Sequence, residues 1–93
     1  MEPTQLTNVS TPNDYALQYR DAFNNVTTLY VCKWQTGPWT VRRSVEFGSP
    51  DNVMWDHVSH LTADDYSQAV ANVDAYVADA CKRADAMRKE IAR

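Results

Sequence analysis

His57 and His60 stand three residues apart in "DHVSH", with Asp56 beside the first and Asp64 four residues beyond the second. On a helix that spacing would present two imidazoles and a carboxylate to zinc or nickel. The pattern supplies no third strong ligand, so no metal is expected. Two histidines near acids read better as a surface that gains charge as pH falls. Cys32 and Cys81 are too few for a disulfide framework and too distant for a CxxC pair, and each reads as a small buried apolar residue. Nucleophile elbows, paired-carboxylate motifs and HExxH are missing, and two glycines leave no room for a phosphate-cradling loop. The expectation is a protein that is not an enzyme and has no cofactor.

Binding chemistry is better represented. "KWQTGPWTVRR" gathers Lys33, Trp34, Trp39, Arg42 and Arg43 around one Gly-Pro turn. The cations could meet phosphates and Trp34 could stack on an unpaired base, the alternative reading of the chain as a nucleic-acid-binding module. Three cations are few, however, and tryptophans in a hairpin more commonly anchor a core or a protein interface.

Charge is segregated along the 93 residues, whose net value is −3. Residues 22–45 carry +3, residues 46–81 carry −7 without a lysine or arginine, and residues 82–93 carry +3. Asp51, Asp56, Asp64, Asp65, Asp74 and Asp79 would then form an acidic, mostly helical surface. Such a surface suits a basic, nucleic-acid-binding site on another protein, the behaviour of a small inhibitor or regulatory protein. Small accessory proteins of the phage type act in this way, which is analogy and not inference from these residues.

The elements that must carry these residues follow from caps and periods. Residues 1–10 offer little to pack and read as a flexible arm, leaving 11–93 as a single domain. Thr11, Pro12 and Asp14 form a helix start, and Tyr15, Tyr19, Phe23 and Val26 continue it on one face. Alternation of Tyr15, Leu17 and Tyr19 would fit a strand, but the cap favours helix. From Thr27 the period becomes two. "TTLYVCKW" and "WTVRRSVEF" predict a β-hairpin, with Trp39, Val41, Val45 and Phe47 on the buried side and Thr40, Arg42, Ser44 and Glu46 on the wet side. Arg43 interrupts the buried side. Ser49-Pro50 repeats the helix-start signal and predicts a short helix through Val53, Met54, Val58 and Leu61. Thr62 with Asp65 approximates a capping box for a final helix from about Ala63. The expected class is α+β, in the order N-terminal helix, central β-hairpin, short helix, long C-terminal helix.

That last helix has the sharpest pattern. Tyr66, Val70, Val73, Val77, Ala80, Ala84, Met87 and Ile91 alternate steps of four and three, an a/d seam rich in alanine. Thirty helical residues extend ~45 Å, which predicts that the seam outreaches its own domain and pairs with a second copy. Acids in the first half and bases in the second favour an antiparallel homodimer with Asp74 opposite Arg88. The polar start lacks an apolar signal segment and no run approaches a bilayer span, so a cytoplasmic location, in the producing or a host cell, is expected, with no membrane partner.

Overall fold

The computed structural model describes residues 3–6, 15–33 and 36–92. Five antiparallel strands form one sheet in sequence order: β1 (Thr4–Leu6), β2 (Tyr15–Arg20), β3 (Val26–Lys33), β4 (Trp39–Glu46) and β5 (Val53–His57). A 3-10 turn, Ser59–Leu61, leads to a long helix, α1 (Tyr66–Ile91), which packs on one face. The expected order of helix, hairpin, short helix and long helix is therefore wrong in its first and third elements. Thr4–Leu6, assigned to a loose arm, pairs with Ala16–Gln18, while the Thr11, Pro12 and Asp14 cap lies outside the described residues.

The first error has a local cause. Tyr15 and Tyr19 share a helical face at a spacing of four, but they also share a strand face. Neighbours decide: Tyr15–Arg20 pairs residue for residue with Val31–Val26. The "DAFNN" segment reverses the chain between two strands. The Asp21 carboxylate accepts from the backbone N–H of Phe23 at 2.8 Å and of Asn25 at 2.9 Å, and Asn24 takes a φ of 68°. That is a three-residue hairpin loop with Asn in the left-handed position, where its short polar side chain is tolerated.

The second error is of the same kind. Ser49-Pro50-Asp51-Asn52 closes on itself, Asn52 N–H donating to Ser49 O at 3.1 Å, and Phe47 N–H donates to Asn52 O at 2.9 Å. Pro50 occupies the second position of a turn, where its fixed φ fits as well as at a helix start. Gly48 permits the approach with a φ of 82°. Val53–His57 then runs back beside β4 as a strand, not as a helix.

The helix begins three residues later than expected. Asp65 is its cap, accepting from Gln68 N–H at 2.7 Å, and Thr62 is not. Before it, the chain is held to the start of β4 by reciprocal bonds between Trp39 and Ala63, at 2.8 and 3.0 Å. Leu17, Leu29, Val31 and Val41 of the sheet pack with Ala69, Val73, Val77 and Cys81 of the helix, and Val58 and Leu61 close one end. Each fully buried valine or leucine contributes about 1.5–3 kcal/mol. The core therefore lies between one sheet face and one helix face, and no helix of the described residues covers the opposite sheet face.

This arrangement takes most of the seam off the surface on which the helix-pairing expectation rested. Val73, Val77, Ala80 and Ala84 are buried against the chain's own sheet, with Tyr66 and Val70 partly so. The helix packs on β2, β3 and β4, and its side chains from Ala69 to Ala84 supply its buried face. Met87 and Ile91 remain exposed at the end. The charges invoked for orientation are used internally. Asp74 accepts a hydrogen bond from the Tyr15 hydroxyl. Arg88 holds Asp85 at 2.9 Å and the carbonyls of Arg20 and Asp21 at 2.9 and 2.6 Å.

Candidate functional site

Alternation along the strands sorts the sheet residues into two sets. With the helix lie Tyr15, Leu17 and Tyr19, Leu29 and Val31, Trp39, Val41 and Arg43, and Met54 and Asp56. On the open face, register places Ala16, Tyr30, Arg42 and His57 in one cross-strand row, and Gln18, Thr28, Ser44 and Trp55 in the next.

The centre of that open face is a cation–aromatic cluster. Tyr30 and Trp55 stack with ring centroids 5.6 Å apart and planes 28° from parallel. The Arg42 guanidinium lies 4.7 Å from the Trp55 ring centroid. Thr28 and Ser44 are buried on this same face, and the Gln18 amide donates to Thr28 Oγ1 at 3.1 Å. Small side chains on neighbouring positions let the larger ones lie across the sheet. Trp55 nevertheless keeps 52% of its surface exposed. Exposed tryptophan, tyrosine and arginine in contact are the residue types that anchor protein interfaces, and an aromatic face beside a cation can also accept a nucleic-acid base.

The other predicted site residues are dispersed. Arg43, adjacent to Arg42 in sequence, points to the helix side. Its Nε donates to Asp56 Oδ1 at 2.9 Å, its Nη2 pairs with Asp56 Oδ2, and its Nη1 donates to the Tyr76 hydroxyl at 2.9 Å. Donating to Asp56 raises the Arg43 pKa, and the same hydrogen bond holds the Asp56 carboxyl below its ordinary value. Lys33 lies over the Trp39 ring at 5.5 Å, and Trp39 packs edge-on against Tyr66 at 5.0 Å. Trp34 lies outside the described residues. Of the hairpin residues, the structure thus puts Arg42 on the open face and commits Trp39 and Arg43 to packing.

The six acids are put to different local uses. Asp56 is held by Arg43, Asp65 caps the helix, Asp74 holds Tyr15, and Asp79 pairs with Arg83 at 3.3 Å. Asp51 and Asp64 are exposed near opposite ends of β5. Burial, followed by the hydrogen bond to Asp74, pushes the Tyr15 pKa upward. His57 and His60 likewise separate, because their segment is strand and turn. His57 lies on the open face, whereas the His60 ring sits 6.3 Å from that of Tyr76 on the helix side. Among the described residues, no group of three His, Cys, Asp or Glu could hold a metal ion.

Sequence reasoning missed Tyr30 and Trp55. Tyr30 was marked by alternation within "TTLYVCKW", opposite Leu29 and Val31, and Trp55 was hidden by the helical reading of its segment. A concavity of about 320 Å³ lies between the β2–β3 turn and the helix, lined by Tyr19, Phe23, Ala80, Arg83, Ala84 and Met87 among others. Among the described residues no helix is long and apolar enough to cross a membrane. Compared with protein-family models, curated proteins and solved structures, the chain matches none.

Proposed function

We propose that the protein is a non-enzymatic interaction protein that regulates a larger partner protein by occupying part of its surface, with the open sheet face as the contact. One observation carries this reading: Tyr30, Arg42 and Trp55 form a packed cluster on a face that no helix of the described residues covers, and half of Trp55 is exposed. The outer surface of α1 is less suited to the task. Ala71, Ala75, Ala78 and Ala86 are exposed there, and alanine offers little area to an interface. Asp74 and Asp79 of the acidic set are already paired, which moves the expected contact from the acidic helix to the sheet.

A second reading, single-stranded nucleic acid, is favoured by one specific contact, the Arg42 guanidinium over the Trp55 ring. Against it, Arg43 is neutralised by Asp56 and the chain carries net negative charge, so few phosphates could be matched. Capture from native lysate with the intact chain, with Trp55→Ala and with Asp74→Asn/Asp79→Asn separates the possibilities. A protein lost with the first substitution and kept with the second supports the sheet face. The reverse pattern returns the contact to the acidic helix. Quenching of tryptophan fluorescence by an oligonucleotide, weakening steeply with salt, would favour the second reading.

A further inference from the structure

The sheet has two edges, β1 and β5. The ladder between β4 and β5 fixes which backbone groups of β5 point outward. Phe47 N–H bonds to Asn52 O and Val58 N–H to Val41 O, each at 2.9 Å, so these are hydrogen-bonded pairs at either end. Bonded and non-bonded pairs alternate in an antiparallel ladder. The register then puts Met54 and Asp56 at bonded positions with Val45 and Arg43. The N–H and C=O groups of Val53, Trp55 and His57 point sideways, away from the sheet.

Proteins blunt such edges with lysine, proline, bulges or inward charge. "VMWDH" carries neither lysine nor proline, and its one carboxylate is bound across the ladder by Arg43. Large apolar side chains stand out on both sides of the strand, Met54 at 65% exposure and Trp55 at 52%.

We propose that two copies of this chain pair antiparallel through β5, about a two-fold axis at Trp55, to make one continuous sheet. The pairing goes beyond the binding role above and does not depend on it, because it uses backbone groups in the plane of the sheet. A second copy is the occupant because the strand is complementary to itself. With Trp55 opposite Trp55 and Val53 opposite His57, the outward groups exchange about six backbone hydrogen bonds. Met54 of each copy then lies opposite Asp56 of the other, so no like charges face one another across the seam. Beyond the strand ends, the same register carries the exposed acid Asp51 of one copy toward Ser59 and His60 of the second. Such a two-fold contact closes on itself and does not propagate. It also sets two Tyr30–Arg42–Trp55 clusters side by side on one face.

Sedimentation equilibrium of the full chain, from about 10 to about 500 µM, should show the average mass rising from that of one chain towards two. His57→Pro tests the geometry, since its N–H points outward and the preceding Asp56 is already extended. It should weaken association at least about tenfold while the far-ultraviolet circular dichroism stays unchanged. Met54→Glu, at an exposed side chain, should weaken it similarly by facing Asp56 of the second copy, and decides the matter should the proline variant unfold. Amide exchange at Val53, Trp55 and His57 should slow as concentration rises. A monomer throughout the range, or association unchanged by Met54→Glu, or association abolished by Met87→Glu instead, would overturn the proposal.

Discussion

Arg43 and Asp56 face each other across the β4–β5 ladder, Nε donating to Oδ1 at 2.9 Å, while the same guanidinium donates to the Tyr76 hydroxyl of the helix. One side chain thus fastens the edge strand to both its neighbour and the helix, and so fixes the position of Trp55 on the other side of β5. The pair is partly exposed, so its contribution is screened, about 0.2–1 kcal/mol, with about 1 kcal/mol more from the tyrosine bond. Asp56→Asn should lower stability by the first amount and Arg43→Ala by the sum, measured by urea unfolding.

The same pair predicts an acid dependence. Asp56 titrates below its unfolded value when folded, because Arg43 hydrogen-bonds its charged form. Its contribution is therefore present above the unfolded pKa of about 3.9 and is lost as pH falls through the lower folded value. Unfolding free energy measured from neutral pH downward should fall below about pH 4, and the Asp56→Asn chain should show a shallower fall.

Tyr15 predicts the opposite limb. Its folded pKa is raised, first by burial and then by the hydrogen bond to Asp74. A raised value means that its contribution is present below the unfolded pKa, about 10, and is lost as pH rises through the folded one. Tyr15→Phe should cost about 0.5–1.5 kcal/mol at neutral pH and should flatten the alkaline decline in stability, read by denaturant titration at several pH values.

Much of the helix was legible in the sequence, because alanine content and the four-three seam agree over its whole length. The two sets of side chains on β4 were legible too: alternation alone placed Arg42 opposite Trp39, and the register keeps them apart. Ser44, on the side expected to be wet, is nevertheless buried, and Phe47, on the side expected to be buried, is exposed. What failed were segments whose local signals serve two structures equally. Ser49-Pro50 opens a helix or a turn, and Tyr15 and Tyr19 share a face in either a helix or a strand. The choice was made by pairing with Val26–Val31 and Arg42–Glu46, contacts that no local window contains. Trp55 was lost with its strand, and the proposed contact face with it. The acidic run was read correctly as charge, but Asp56, Asp65 and Asp74 turned out to serve a guanidinium, a helix cap and a phenol.

The helix cap offers a direct check on where α1 begins. Asp65→Ala removes the acceptor for Gln68 N–H and should cost about 1 kcal/mol. Thr62→Ala, at the position expected from sequence, should change thermal unfolding little.

The central claim is that the open sheet face, not the outer helix face, meets the partner. The most direct measurement places a photo-crosslinking amino acid at Thr40, beside Arg42 on the open face, and separately at Ala78 on the exposed side of α1, then irradiates each in native lysate. The account predicts a discrete adduct to another protein from the Thr40 position and none from the Ala78 position. An adduct from Ala78 alone would contradict it.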